Sequence, residues 1–330
     1  MSKIEWTEKT WNPIVGCSVV SPGCTNCYAM TLAARIERMS PDLAHYKGLT
    51  QISKAGPVWT GKVALAGDDK LLEPLRRKKP TTYFVNSMSD LFHENVPDEW
   101  IDRVFAVMAL APQHTFQVPT KRAPRMRKYC GDPKTAERVA AIILKNEWQI
   151  SGRQQLAPMG NRAREIDPEF VRWPLPNVWL GVSAEDQKRY DERVFELNHT
   201  PAAVRFVSAE PLLGPIETGL KRGQGFAPGI DWIIVGGESG PNARPMHPDW
   251  ARSIRDQCDA GAAFFYKQHG EWKALAPGDG DWPTDTPTMI RLRPDGTKGD
   301  DGWPMQRVGK KFAGRLLDGR THDEMPTRSA

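Results

Sequence analysis

Three thiols stand within eleven residues of one another near the start of the sequence. They are Cys17, Cys24 and Cys27 in "VGCSVVSPGCTNCYAM", with the spacing C-x6-C-x2-C. Thiolates are ligands for soft metals, so a loop that carries three of them supplies most of a metal site. Structural zinc takes four ligands, commonly as two close pairs. With one C-x2-C pair here, a zinc ion would have to recruit Cys130, Cys258 or a histidine such as His93 from afar. A [4Fe–4S] cube needs no fourth protein ligand if its last iron is left for a small molecule, and its potential is set by charge, hydrogen bonds and exposure. Uncoordinated thiols are the third reading. "SPG" before Cys24 favours a tight turn. "YAMTLAARIERM" after Cys27 has helical spacing, with Met30, Ala33, Ala34 and Ile36 turned inward.

An odd total of five cysteines, three of them clustered, points to a metal or redox site rather than to a disulfide framework. Cys258 falls at helical spacing with Ala251 and Ile254, and Cys130 ends a basic helix with no partner nearby. Both read as structural.

A second set of chemistry-bearing residues follows the apolar, β-rich runs. Asn86, Ser87, Ser89 and Asp90 follow "YFV"; Thr120, Lys121 and Arg122 follow "FQVP"; Ser183, Glu185 and Asp186 follow "WLGV". Ser208 and Glu210 follow "VRFV", Gly236, Gly237, Glu238 and Ser239 follow "IIV", and Lys267 and Gln268 follow "FFY". In a parallel barrel these strand ends form the reactive face. Ser and Asp also favour helix N-caps and turns without any function. Glu210 and Glu238 need a charged partner or a ligand, and Lys121, Arg122 or Lys267 could be that partner or could bind a carboxylate or phosphate. Asp90 and His93, three apart in "SDLFHEN", could share a helical face as a proton shuttle or metal ligand, or form a structural hydrogen-bonded pair. The catalytic candidates are therefore Asp90, His93, Glu210 and Glu238. Tyr28, Phe92 and Trp179 either line a pocket or pack in the core.

The elements that must position these groups repeat. "KVALAGDD" (62–69) leads into a helical pattern over 71–77, and "TYFVNSMSD" (82–90) precedes a helix from near Asp98 with Ile101, Val104, Phe105 and Met108 on one face. "TFQVPTKRA" (115–123) precedes a helix over 135–145, and "NVWLGVSAED" (177–186) one with Tyr190, Val194 and Leu197. "VRFVSAEP" (204–211), "WIIVGGESG" (232–240) and "AFFYKQHG" (263–270) complete the series; a first strand at 11–15 makes eight candidates. Apolar strands alternating with amphipathic helices predict an α/β fold with a parallel sheet covered on both faces. Eight units favour a (β/α) barrel, TIM-barrel-like and irregular or partial, over a doubly wound sheet. No G-x-G-x-x-G follows an early strand, and no Walker A sequence is present. One domain spans 1–330, with a polar, Pro-rich insertion at 146–176. A Gly/Pro/Trp-rich extension at 270–330 wraps the barrel and carries a short helix at 310–317.

The net charge of +5 tolerates an anionic substrate without requiring one. The basic runs at 76–79, 121–128 and 310–311 read as solvated faces or as contacts for nucleic acid. No apolar run approaches the ~20 residues that cross a bilayer, and the opening "MSKIEWTEKTW" lacks a secretory layout. The expectation is a cytoplasmic protein with no membrane contact.

"WNPIVGCSVVSPGCTNCYA", "FVNSMSDLFHENVP", "TKRAPRM", "GVSAED", "VSAEPLLGPI", "WIIVGGESG", "FYKQHGEW" and "VGKKFAGRLLDGR" together resemble a bacterial and phage family of uncharacterised proteins. A three-cysteine motif defines that family, which is regarded as related to the radical SAM superfamily. The resemblance covers residues 4–326 apart from the insertion. It implies a 4Fe-4S cluster on Cys17, Cys24 and Cys27 whose fourth iron chelates S-adenosyl-L-methionine. One electron would cleave the sulfonium bond and release a 5′-deoxyadenosyl radical that abstracts hydrogen from a substrate. The cofactor-binding candidates on this reading are Tyr28, Asn86, Ser87, Ser208, Glu210, Gly236, Gly237, Glu238 and Lys267. It also implies an electron donor such as flavodoxin or ferredoxin, and it leaves a nucleic-acid substrate (repair or modification) and a partner protein open. The sequence departs from the superfamily pattern in its six-residue first gap, in Asn26 rather than an aromatic before Cys27, and in a Gly-Gly-Glu turn after the seventh rather than the second strand. The alternatives are a zinc-stabilised nucleic-acid-binding protein without catalysis, and an iron–sulfur electron-transfer protein that does not use S-adenosyl-L-methionine.

Overall fold

The computed structural model describes residues 4–40, 42–145, 171–220, 229–258, 261–275 and 289–326. Most of the expected insertion (146–170), and residues 276–288 and 327–330 of the extension, lie outside the described residues.

Seven strands form one sheet: β1 (Lys9–Trp11), β2 (Thr82–Val85), β3 (Thr115–Thr120), β4 (Val178–Ser183), β5 (Val204–Ala209), β6 (Trp232–Gly236) and β7 (Ala263–Gln268). Their order in space is their order in the chain, and every neighbouring pair is parallel. Among the described residues six helices of eight residues or more accompany them: α1 (Tyr28–Met39), α2 (Asp98–Ala109), α3 (Ala123–Cys130), α4 (Thr135–Lys145), α5 (Gln187–Asn198) and α6 (Pro248–Cys258). The runs "VWLGV", "VRFV" and "WIIVG" form strands because branched and aromatic side chains suit a pleated surface buried on both faces.

Alternation along each strand divides the side chains into two cores. Val207, Ala209, Ile233, Val235, Phe264 and Tyr266 join the main core that holds the helices. Their neighbours Val204, Phe206, Trp232, Ile234 and Phe265 join a second cluster with Trp179 and Trp6. Trp6 touches Phe84 on β2 (ring centroids 5.1 Å apart) and Trp232 on β6 (5.7 Å). In a flat sheet those strands would lie about 19 Å apart at ~4.8 Å per strand. One indole reaches both because the sheet curls, and the second cluster fills its concave side. Among the described residues no ladder joins β7 to β1, so the sheet is a half-barrel.

The eighth expected unit does not join the sheet. Ala64–Leu65 instead pairs antiparallel with Ile14–Val15, inside the long excursion between β1 and β2. Two residues are too few to add a rung, and a helix starts at Asp68. Near its end, the described part of the extension pairs with the last strand. The backbone N–H of Tyr266 donates to the His322 carbonyl (2.9 Å) and that of Phe264 to the Glu324 carboxylate (3.0 Å), which covers the exposed edge of β7. The expected helix at 310–317 stops at Ala313, where Gly314 takes φ +72°. Among the described residues no helix is long and apolar enough to cross a membrane.

Trp232 is fully buried where four other aromatic rings meet. Trp232→Ala should lower the unfolding free energy by about 3–5 kcal/mol, through lost burial plus a cavity. Trp232→Phe should cost less. Urea unfolding midpoints at an unchanged m value measure both.

Candidate functional site

The cysteine loop leaves β1 through Asn12 and the Ile14–Val15 ladder and then turns at Gly16. A Cβ on Gly16 would stand 2.1 Å from the Lys62 carbonyl, and its φ is +93°, so only glycine fits. Cys24 ends the short 3-10 turn Pro22–Cys24, and Cys27 occupies the N-cap of α1. Ala29, Met30 and Ala33 of α1 pack with Val15, Leu49, Trp59 and Met88 in a small separate core, against which Cys17 and Cys27 rest. That packing sets the three cysteines at the C-terminal ends of the strands.

Three tethers then fix the loop, each from a different strand end. After β3, Arg122 Nη2 donates to the Ser18 carbonyl (3.1 Å) and hydroxyl (2.8 Å), while Nη1 donates to Cys17 Sγ (3.5 Å) and Asp90 Oδ2 (3.2 Å). After β4, Glu185 Oε1 accepts from the Gly23 N–H (2.9 Å), and its other oxygen accepts from Arg193 (3.0 Å). After β6, Glu238 Oε2 accepts from Asn26 Nδ2 (3.0 Å) and from the Arg244 N–H (2.8 Å) and Nε (2.9 Å), while Oε1 accepts from Arg244 Nη2 (2.6 Å). The same Nη2 reaches the Pro22 carbonyl (2.9 Å). Each tethered residue is the chain neighbour of one cysteine. Burial opposes ionisation of Glu185 and Glu238. Their donors outweigh it, chiefly Ser21 and Gly23 for the first and Arg244 and Asn26 for the second, so both carboxyls titrate below the usual glutamate range.

The catalytic candidates fall in different settings. Asp90 accepts from the Phe92 N–H, Thr120 Oγ1 (2.6 Å), the Lys121 N–H (2.8 Å) and Arg122, so its oxygens are fully engaged. Asp90 and His93 lie in turns rather than on a helix, which corrects the shared helical face. His93 Nδ1 accepts from the Asn95 N–H (3.1 Å), which leaves the proton on Nε2, facing Ser18 Oγ at 2.9 Å. Burial and then Arg122 push its pKa down, so the ring is neutral and both nitrogens are occupied. Glu210 pairs with Lys267 Nζ (3.0 Å) and accepts from Ser208 Oγ (3.1 Å) and Trp6 Nε1 (3.3 Å). It stands above the aromatic floor, whereas Glu238 is committed to the loop.

Among the cofactor-binding candidates, the two glycines are explained by close approach. A Cβ on Gly236 would meet Glu210 Oε1 at 2.6 Å, and one on Gly237 the His269 carbonyl at 1.9 Å. Ser87 Oγ donates to Asn12 Oδ1 (3.1 Å). The Tyr28 hydroxyl donates to the Ser87 carbonyl (3.3 Å), and the residue is 58% exposed. Asn86 is buried at φ +61°, with both side-chain polar atoms unpartnered. Arg122 and Glu185 were named as strand-end residues but not as tethers of the loop, and Arg193, Arg244, Ser18 and Asn26 were not singled out for a site role. The available signal was that each acid past an apolar strand needs a cation, but nothing local says which arginine answers which acid.

Burial pushes the Cys17 thiol up to about 12 despite Arg122 beside it, and raises that of Cys27 as well. Among the described residues no three His, Cys, Asp or Glu side chains gather around one point as ligands of a single ion would. Cys130 and Cys258 are buried in the main core, and His93 is engaged. Among the described residues no fourth side chain gathers with the three thiols as the ligand set of a single zinc ion would. The three soft sulfurs are a donor set that a cube could use, since its ligands sit on separate irons.

Comparison with family models matches residues 1–326 to a family described as "Protein of unknown function (DUF5131)". No curated protein and no solved structure matches the chain.

Glu238→Gln keeps the shape of the side chain and deprives Arg244 of its counter-charge. It should cost about 1.5–3 kcal/mol of stability at neutral pH, as for hydrogen bonds to charged groups. The folded-state pKa of Glu238 is depressed, so its stabilisation is present above the ordinary value of 4.5 and is lost as pH falls through the folded value. Urea unfolding of both chains at pH 7 and pH 3 should show the gap close in acid. A gap of constant size would rule out an ionised tether.

Proposed function

Because the chain belongs to this family of unknown function, we propose that its cysteine loop carries a [4Fe–4S] cluster on Cys17, Cys24 and Cys27, at the mouth of a partial TIM-barrel-like (β/α) barrel. On this reading one iron stays open for S-adenosyl-L-methionine, and the protein is a radical SAM enzyme. The observation that carries the proposal is the tethering: three charged strand ends hold the three cysteine-bearing stretches.

Held on Cys17, Cys24 and Cys27, such a cluster would supply one electron for cleaving the sulfonium C–S bond, giving methionine and a 5′-deoxyadenosyl radical that would take a hydrogen atom from the substrate. An external one-electron carrier of the flavodoxin or ferredoxin kind restores that electron. The residues of the chain bind and shield. Asn86 offers an unpaired donor and an unpaired acceptor. Ser208, Glu210 and Lys267 form a polar layer above the floor of Trp179, Phe206 and Trp232, which closes the concave side to water from below. Glu210 and Lys267 are the groups on this layer suited to hold or move a proton. Lys121, within electrostatic range of Cys27 and Glu185, suits an anionic substrate, and nucleic acid is the class we favour.

Anaerobic reconstitution tests the reading. The wild-type chain should turn brown and hold about four irons. Cys17→Ala, Cys24→Ala and Cys27→Ala should each lose the chromophore, whereas Cys130→Ala and Cys258→Ala keep it. Adding S-adenosyl-L-methionine should change the spectrum, and reduction should release 5′-deoxyadenosine. Retained iron with no response to S-adenosyl-L-methionine would point to electron transfer instead. A colourless folded chain, or stoichiometric zinc with salt-sensitive DNA binding, would overturn the proposal.

A further inference from the structure

We propose that Arg122 is a positioning residue that tunes redox chemistry: by hydrogen bonding to the Cys17 sulfur it raises the reduction potential of the group held by the loop. The inference rests on the cluster reading above and adds to it an assignment for one residue next to one ligand.

Arg122 is only 5% exposed, yet its guanidinium makes more contacts than bracing the loop requires. Nη2 alone holds Ser18, through both the carbonyl and the hydroxyl. Nη1 is the additional contact, shared between Cys17 Sγ and Asp90. Among the described residues no other cationic side chain hydrogen-bonds a loop thiol. Cys24 has only the Ser21 hydroxyl, at 3.9 Å. The three sulfurs are therefore unequal, and among the described residues Cys17 is the one hydrogen-bonded to a guanidinium.

That charge cannot be discharged by pH, because a guanidinium does not deprotonate in proteins. Hydrogen bonds to the sulfurs and local net charge are among the factors that set the potential of a cluster. A cation and a donor at one sulfur stabilise the reduced, more negative form over the oxidised one. Two carboxylates temper the effect. Asp90 Oδ2 lies 3.2 Å from Nη1, and Glu94 Oε1 lies 3.4 Å from Nε. Asp90 is buried and fully bonded, so changing it would disrupt the turn. The Glu94 side chain is 59% exposed and can lose its charge without leaving a buried carboxylate site empty.

The test is the midpoint potential and iron content of the full-length chain after anaerobic reconstitution, by potentiometric titration. Arg122→Gln should shift the potential negative at unchanged iron content, and Arg122→Lys, which keeps the charge without the fork, should recover part of that shift. Glu94→Gln should move it the opposite way, to a more positive potential. A merely structural brace would change iron content or fold and leave the potential of the assembled cluster alone. Equal potentials in wild type, Arg122→Lys and Glu94→Gln overturn the inference, as does a negative shift in Glu94→Gln. Should Arg122→Gln fail to hold iron, the signs of the other two variants decide. A wild-type chain that takes up no iron overturns the cluster reading and this inference together; a wild-type cluster whose potential ignores these substitutions overturns only the inference.

Discussion

Buried charge is costly unless it is paired and hydrogen-bonded, and three strand ends of this protein carry one: Arg122, Glu185 and Glu238. Each has its counter-charge nearby, in Asp90, Arg193 and Arg244, and each uses its remaining hydrogen-bonding capacity on the cysteine loop. A long loop at an open sheet end would otherwise sample many conformations. Here its three chemically interesting positions are fixed from three directions, by interactions that weaken together if the loop withdraws. The loop in turn roofs the concave side of the sheet, so the order of the site and the satisfaction of the buried charges are the same physical fact.

The half-barrel supplies the directions from which those charges converge. Parallel strands that advance one step at a time place all their C-terminal ends on one rim, and curling brings the β3, β4 and β6 ends around a common centre. Trp6 fixes the curl from below by touching β2, β5 and β6 at once. Its indole N–H also donates to Glu210, which links the apolar floor to the polar layer above it. The concave side thus has an apolar end and a polar end. The polar end has Glu210, Lys267 and Ser208 on its floor and the thiols at its rim.

Several candidate residues owe their identity to packing rather than to ligands. Gly236 and Gly237 are small because Glu210 and the His269 carbonyl approach them. His93 keeps its proton on Nε2 because a backbone N–H occupies the other nitrogen. Asp90 is a four-fold acceptor that orients Arg122. Asn86 is different: it is buried, held at a positive φ and unpartnered at both polar atoms, so it retains hydrogen-bonding capacity for something that enters the mouth.

The sequence by itself determined the local pieces. Apolar runs ending in Ser, Gly or Asp specified β2 to β7; 3.6-residue spacing specified α2, α4 and α5; and the clustered cysteines marked the loop, because these signals depend only on neighbours in the chain. The tertiary structure alone decided three things. The short run at 64–65 leaves the sheet to pair with Ile14–Val15, so the count is seven and the barrel stays open. Asp90 and His93 sit in turns and face different partners. And Arg122, Arg193 and Arg244 are matched to Asp90, Glu185 and Glu238, with two of these carboxylates and Arg122 itself reaching the loop across 104 to 212 residues of sequence. Contact over such separations is set by where strand ends meet in space, and no pattern of neighbouring residues encodes it.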